Sequence, residues 1–212
     1  MCDRGIEWLG EIPSHWTIGK LKFFLKSIDY GLSESALSDG DYRYLNMGHI
    51  QNKKVLVKNT GYLNSITDNL LLETNDILFN RTNSFDLVGK SGIFKGVRTD
   101  KVTFASYLVR LRPVESVVPD WLNYLLNEVS FLSYIRSLAL RSLNQANLNP
   151  NRLSAVHVAV PPTEEQIKIS EFISNMENEI NKQTAIAQRS IELYEELKKT
   201  YISNVVTGKI KV

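Results

Sequence analysis

The pattern of apolar and polar positions divides this chain of 212 residues at Pro161-Pro162. Before these prolines, short apolar runs alternate with polar residues and are separated by Gly, Asn, Asp and Pro, which is typical of short strands joined by turns. After them, apolar residues recur every three or four positions without Gly or Pro until Gly208, which predicts one long α-helix. Because proline is disfavoured in a helix interior, the boundary is well defined.

The start of this helix carries its own signals. Thr163 can cap the helix, and Gln166 three residues later can close a capping box. Glu164 and Glu165 fall in the first turn, where the helix dipole favours negative charge, and Gly208 is placed to end the helix. At about 1.5 Å per residue, the predicted helix over residues 163–207 is on the order of 65 Å long. Since this exceeds the width of a small domain, we expect the helix to project from the domain or to cross another structure.

An apolar row recurs every seven residues along the predicted helix, interrupted on its second line by Gln183 and Ser190. The row consists of Ile173, Met176, Ile180, Ala187, Tyr194, Leu197 and Tyr201. Such a seam with polar interruptions predicts a coiled coil with a specified register. The alternative is a long amphipathic helix that packs on its own domain. Length favours the coiled coil, and the sequence offers no second long helix, so we predict that the partner helix belongs to another chain.

The residues before the helix predict a mixed α+β fold with short strands and long polar loops. Strands are expected over residues 42–47, 55–57, 76–80, 88–94, 102–111 and 156–160, and helices over 21–28 and 119–135. Residues 137–152 are expected to be irregular. We therefore divide the chain into a globular domain over residues 1–160 and a long helix over residues 161–212.

Composition excludes several classes of protein. Hydrophobic residues make up 43% and charged residues 23% of the chain, which is ordinary for a soluble protein. There is no apolar run of about 18 residues that could cross a membrane, and the N-terminus lacks the apolar core of a signal peptide. With a single cysteine, Cys2, no internal disulfide can form, and a cytoplasmic location is expected.

Basic residues concentrate in three windows. Residues 43–58 contain Lys and Arg, and residues 136–152 contain three Arg, in both cases without any acid. Residues 81–112 contain seven basic residues against Asp86 and Asp100. All three windows are rich in Asn, Gln, Ser and Thr, a combination that suits DNA, with cations for phosphates and amides for base edges. The alternative is an ordinary solvated surface, because the sequence does not place the three windows on one face.

No convincing catalytic centre is present in the sequence. Residues 149–152, Asn-Pro-Asn-Arg, lack the aromatic residue that a base-flipping methyltransferase loop requires. Pro119-Asp120 and Glu196-Leu197-Lys198 match a nuclease pattern only as letters, and Gly89-Lys90-Ser91 has no Gly-rich lead. Neither the three histidines nor the cysteine has metal-ligand spacing. We therefore predict a chain without catalytic residues or a metal site.

Four segments, taken in order, carry a resemblance to a known family. They are residues 8–13 with Trp16, residues 76–84 with 87–90, residues 144–148 with 158–166, and residues 205–210. With these segments, the chain resembles the DNA-specificity subunit of type I restriction–modification systems over essentially its whole length. Members of that family usually carry two target-recognition domains and two long antiparallel helices. One of each is present here, so the resemblance implies a half-length subunit.

The resemblance implies a function without enzymatic activity of its own. The domain would read half of a bipartite site in double-stranded DNA, and the helix would act as a spacer that docks the methyltransferase subunit. Two copies paired through their helices would read an interrupted palindrome. S-adenosylmethionine would be held by the methyltransferase subunit, with no cofactor on this chain, and a restriction or translocase subunit is a further possible partner.

Two sets of residues follow from these interpretations. We predict that the apolar row named above pairs with the partner helix. The predicted DNA contacts are Arg43, Asn46, His49, Arg81, Asn83, Ser84, Lys90, Arg136, Arg141, Asn144 and Gln145. For each of these, a capped turn or a solvated charge is the competing explanation. The competing function is that of a helical adaptor that scaffolds a protein complex without reading DNA.

Overall fold

The computed structural model describes residues 2–3, 8–142 and 145–211, which form an α+β fold. The predicted fold class is therefore confirmed. The chain separates into two compact units, residues 1–168 and residues 169–212. The first turn and a half of the long helix thus belongs to the same unit as the sheets.

The elements are numbered in chain order. The strands are β1 (Cys2–Asp3), β2 (Glu11–Ile12), β3 (Thr17–Lys20), β4 (Leu25–Tyr30), β5 (Tyr42–Leu45), β6 (Ile50–Gln51), β7 (Lys54–Val55), β8 (Gly61–Leu63), β9 (Ile77–Asn80), β10 (Thr82–Asn83), β11 (Ser91–Ile93), β12 (Val102–Phe104), β13 (Leu108–Pro113), β14 (Leu140–Arg141), β15 (Ala146–Asn147) and β16 (His157–Val160). The α-helices are α1 (Pro119–Leu126), α2 (Val129–Ser137), α3 (Pro150–Ala155) and α4 (Thr163–Val206). Short 3-10 helices cover Leu21–Phe24, Met47–His49, Asp68–Leu70 and Arg98–Asp100.

The central sheet has the strand order β4–β13–β9–β11–β7–β6. Strand β9 is buried along its whole length, as expected for a strand covered on both faces. A second sheet, β12–β5–β8, packs with the central sheet around a core that includes Leu45, Leu72, Leu78 and Phe104. Burial of these apolar side chains is the main driving force for folding of the domain.

Some predicted elements are wrong in type or in length. Residues 21–28 were predicted to be helical, but they form a 3-10 turn followed by β4, which pairs with β13 over five residues. The spacing of Leu21 and Leu25 imitates a helix, yet pairing with β13 decides the backbone, because strand formation depends strongly on tertiary context.

Three other predicted segments are divided differently in the structure. The strand predicted over 102–111 breaks into β12 and β13 at a turn over residues 105–107. The helix predicted over 119–135 breaks into α1 and α2, because the Asn127 side chain binds Ser91 on the neighbouring strand and Glu128 caps α2. Residues 137–152, predicted to be irregular, contain β14, β15 and α3 within the part that the structure describes.

The long helix begins at Thr163, as predicted, and ends at Val206. Its start is joined to the loop before α1 by Gln166, which is fully buried. Gln166 Oε1 accepts a hydrogen bond from Val118 N at 2.7 Å, and Nε2 donates to Pro161 O at 2.8 Å. Thr163 Oγ1 donates to Ser116 O at 2.9 Å. Thr163 and Gln166 therefore join the start of α4 to the loop before α1, and the predicted capping box is not formed, because the Thr163 hydroxyl bonds to Ser116 O and Gln166 N donates to Pro162 O. None of the helices in the described part of the chain is long and apolar enough to cross a membrane.

Candidate nucleic-acid interface

A small sheet beside the end of β9 brings two of the basic windows together. Strand β10 pairs antiparallel with β15, with Thr82 opposite Asn147. Strand β15 pairs in turn with β14, with Arg141 opposite Ala146. Residues from the 81–112 window and from the 136–152 window thus lie side by side, a proximity that their separation in sequence does not reveal.

Arg81 is the residue that ties this sheet to the rest of the domain. Its Nη1 donates to Ser106 O at 3.1 Å, and its Nη2 donates to Asn147 Oδ1 at 3.2 Å. The guanidinium carbon lies 5.2 Å from the ring centroid of Tyr30, and Arg81 N donates to Tyr107 O at 3.0 Å. Nε is buried and has no hydrogen-bond partner among the described residues. Arg81 therefore joins three chain segments within the domain.

The loop after β10 is held by two predicted contact residues. Asn83 Oδ1 accepts a hydrogen bond from Ser84 N at 2.8 Å, which fixes the turn at its start. Arg136 on α2 donates from Nε to Val88 O at 3.0 Å and from Nη2 to Asp86 O at 2.7 Å. These bonds use the Asn83 carbonyl oxygen and two Arg136 donors, so both side chains shape the loop.

Other predicted residues of this region present their side chains to solvent. Ser84, Lys90, Arg141 and Gln145 are exposed, and the Arg141 guanidinium stacks on the Phe85 ring at 3.7 Å from its centroid. An exposed guanidinium held flat by an aromatic ring is well suited to bidentate hydrogen bonding. Asn144, also predicted as a contact, lies outside the described residues.

The first basic window lies on the second sheet and on the hairpin of β6 and β7. Arg43 on β5 is exposed and pairs in register with Val102 on β12. Asn46 and His49 bind each other: Asn46 N donates to His49 Nδ1 at 3.0 Å, and Asn46 Oδ1 accepts from Gly48 N at 3.0 Å. These two predicted DNA contacts therefore form a capped turn, and their role with DNA stays a prediction.

Part of the charge in the 81–112 window is neutralised by acids. Arg110 Nη2 lies 2.8 Å from Asp29 Oδ2, and Arg112 Nε lies 2.7 Å from Asp76 Oδ1. Burial opposes ionisation of Asp29, but hydrogen bonds from Ser27 and Arg110 outweigh it, so the pKa of Asp29 is lowered. The hydrogen bond to Asp76 raises the pKa of Arg112. Lys95 and Arg98 also form ion pairs, with Asp120 and Glu73. The window is therefore less basic at the surface than its composition suggests.

The structure also presents aromatic residues that the sequence did not single out. Tyr30 and Tyr107 are 48% and 44% exposed. The Tyr30 ring lies beside the Arg81 guanidinium, and Tyr107 O accepts a hydrogen bond from Arg81 N. In the sequence, Tyr107 is marked only by its position directly after Ala105-Ser106. These two residues interrupt the run of β-forming residues over 102–111. Tyr30 lies two residues beyond the segment over residues 21–28 that was predicted to be helical, so the sequence did not indicate its position at the end of a strand.

In residues 169–212, the predicted pairing row lies on an exposed face of α4. Ala187 is exposed and Ile173 is partly exposed. Five further residues of the row are between 48% and 72% exposed: Met176, Ile180, Tyr194, Leu197 and Tyr201. Soluble proteins seldom expose such a long apolar row without a function for it. Among the described residues, no group of three His, Cys, Asp or Glu side chains is placed to hold a metal ion.

The chain also matches known proteins in sequence and in fold. Residues 13–188 match a protein-family model described as type I restriction modification DNA specificity domain. The chain belongs to this family. Its members are the non-catalytic DNA-recognition components of type I restriction–modification systems. The resemblance found in the sequence is therefore confirmed at the level of the family.

Relatives with known names or structures agree with this assignment. The chain is 29% identical over 191 residues to a putative type I restriction enzyme MjaX specificity subunit of Methanocaldococcus jannaschii, which covers 86% of this chain and 45% of the relative. The fold is similar to that of the HsdS subunit from Thermoanaerobacter tengcongensis, with a TM-score of 0.59 and 17% identity over 81% of this chain and 40% of that one. A type I S subunit from M. genitalium gives a TM-score of 0.56 and 17% identity over 92% and 47%. The chain thus spans about half the length of these relatives.

Proposed function

We propose that this chain reads part of a DNA target site for a type I restriction–modification complex. The observation that carries the proposal is the small sheet β10–β15–β14, which joins two basic windows. Ser84, Lys90, Arg141 and Gln145 of these windows are exposed. Cations contact phosphates and amides read base edges. Arg43 on the second sheet is a further candidate for a phosphate contact.

The long helix supplies the second half of the proposal. The exposed row from Ile173 to Tyr201 supports pairing with other helices, either of a second copy or of a methyltransferase subunit. Methyl transfer to the DNA would take place in that subunit, which would bind S-adenosylmethionine. A second copy of the chain would place two identical domains on one DNA molecule.

The DNA-reading role is tested with the full chain in complex with its methyltransferase subunit. Adenine methylation in a host without such activity maps the target site, and a duplex with that site is compared with a scrambled duplex across a range of salt concentrations. We expect tighter binding to the mapped site and affinity that falls steeply with salt. A complex whose DNA binding is neither sequence-dependent nor salt-dependent would refute the proposal and favour the adaptor alternative.

Arg141→Ala tests the site itself against a matched control. It should weaken binding of the mapped duplex by about 1–3 kcal/mol if Arg141 reads a base. Arg98→Ala is the control, because Arg98 is also an exposed arginine but is paired with Glu73 at 2.7 Å. Equal effects of the two substitutions would count against the β10–β15–β14 surface as the place of contact.

Substitutions of two alanines in the same heptad test the role of the helix. Ala187 lies on the apolar row and Ala185 on the opposite side of the helix, and both are exposed. Ala187→Asp should disrupt self-association or methyltransferase binding, measured by light scattering of the purified complex, because it places a charge in the seam. Ala185→Asp should leave both unchanged. Assembly that resists Ala187→Asp would remove this row from the interface.

A further inference from the structure

We infer that Tyr30 and Tyr107 contact DNA, and that Arg81 positions these two tyrosines instead of binding DNA itself. This inference rests on the proposed function and assigns roles within its surface. It reverses the simplest interpretation of Arg81, in which a basic residue in a polar loop binds a phosphate or a base.

The register of the central sheet brings the three residues to the same end of the sheet. Val109 on β13 pairs with Tyr30 on one side and with Phe79 on the other. Arg81 follows Phe79 by two residues, and Tyr107 precedes Val109 by two. Arg81 N donates a hydrogen bond to Tyr107 O, which extends the pairing of β9 with β13 by one position. Since side chains two residues apart along a strand share a face, this register places Arg81 beside Tyr30, and the backbone hydrogen bond brings the 105–107 turn to the same end of the sheet. The stacking of Arg81 on Tyr30 agrees with this geometry.

The backbone that carries Tyr107 is fixed, although its ring is exposed. Ala105 N donates to Leu45 O and Ser106 N donates to Leu32 O, both at 2.8 Å. A Cβ on Gly31 would lie 2.3 Å from Ala105 O, so the two segments touch at the backbone. An exposed aromatic side chain on a fixed turn loses little conformational freedom on binding. Its hydroxyl can donate a hydrogen bond to a phosphate oxygen or a base acceptor.

Arg81 itself is poorly placed to be the DNA ligand. Both terminal nitrogens are used by Ser106 O and Asn147 Oδ1, one guanidinium face lies on Tyr30, and Nε is buried. These bonds leave one N–H on each terminal nitrogen and hold the guanidinium in one orientation. The same bonds, however, join β15, the 105–107 turn and the end of β4. Arg81 therefore acts on DNA through the position of the tyrosines.

The test compares substitutions in the complete complex, with the mapped duplex as probe. Tyr107→Phe and Tyr30→Phe should each weaken binding by about tenfold, as expected for loss of one hydrogen bond to a charged group, without lowering the melting temperature. Phe23→Ala is the control, because Phe23 is an exposed aromatic residue beyond the opposite end of β4. Wild-type affinity in both tyrosine variants would overturn the inference.

The role of Arg81 is separated from direct binding by two further measurements. Arg81→Lys keeps the charge but cannot bridge two acceptors with one planar group, so it should weaken binding as much as Arg81→Ala, and neither should change the salt slope. Combining Arg81→Ala with Tyr107→Phe should cost no more than Arg81→Ala alone. A salt slope reduced by about one, with rescue by lysine, would make Arg81 a phosphate ligand and overturn the positioning role.

These outcomes are distinct from failure of the proposed function. A wild-type complex without sequence-dependent DNA binding overturns the proposed function and this inference together. A wild-type complex that binds its mapped site, combined with tyrosine variants that bind equally well, overturns only the inference.

Discussion

The buried ion pair at the beginning of β9 offers a quantitative test of how this domain is held together. Asp76 is 1% exposed and accepts hydrogen bonds from Arg112 Nε at 2.7 Å and Arg112 Nη2 at 2.8 Å. It also accepts one from Glu73 N at 2.8 Å, and Arg110 Nη1 lies 3.8 Å away. We predict that Asp76→Asn destabilises the domain, because the amide keeps the shape of the side chain but removes the charge that balances the guanidinium groups.

The size of the effect follows from the surroundings of the pair. Removing one partner of a buried ion pair costs about 3–5 kcal/mol. The Arg112 side chain is 23% exposed, and Arg110 keeps its pair with Asp29, so we expect the lower end, about 3 kcal/mol. In a domain of this size, such a loss lowers the melting temperature by about 6–12 °C.

The measurement is urea unfolding followed by tryptophan fluorescence, with the free energy of unfolding obtained by linear extrapolation. Asp120→Asn is the matched control, since its ion pair with Lys95 is about half exposed on both sides. A surface pair contributes at most about 1 kcal/mol. If Asp76→Asn costs no more than Asp120→Asn, the buried pair does not stabilise the fold, and the reasoning is refuted.

Three further predictions concern the start of α4 and the 105–107 turn. Gln166→Leu should lower the free energy of unfolding by about 1–3 kcal/mol, because it leaves buried backbone groups unpaired; an unchanged urea midpoint would contradict this. Gly31→Ala should cost about 1–3 kcal/mol in the same assay, because its Cβ would collide with Ala105 O, and a neutral result would mean that the turn yields easily. The hydrogen bond from His15 lowers the pKa of Glu165 below its ordinary 4.5. The stability it contributes is therefore present above pH 4.5 and lost as the pH falls through the lowered pKa. His15→Gln should raise that pKa in an NMR titration, and an unchanged pKa would exclude His15 as the cause.

The candidate site could be predicted from the sequence only as a set of segments. Charge and polarity identified the windows that contain Arg81, Arg141 and Gln145, and the structure brings these residues together through β10 and β15. The sequence did not distinguish Arg141, which is exposed, from Arg136, whose guanidinium binds two carbonyl groups. That difference depends on which backbone lies beside each side chain, and a basic residue in a polar window fits either environment.

The sequence by itself determined the features that depend on neighbours along the chain. The prolines before Thr163 and the apolar spacing after it specify where α4 begins and which face is apolar, because helix geometry relates residues three and four positions apart. The order of its segments was also enough to recognise the family.

Only the tertiary structure decided which distant residues meet. Arg110 binds Asp29, which is 81 positions away in the sequence, and Arg81 binds Asn147, which is 66 positions away. The same pairing converted residues 25–28 from an expected helix into a strand. Such contacts depend on sheet register and on the closing of long loops. The entropy lost in closing these loops is offset by packing throughout the domain. The local sequence does not indicate these long-range contacts. For this reason, only the fold identified Tyr30 and Tyr107.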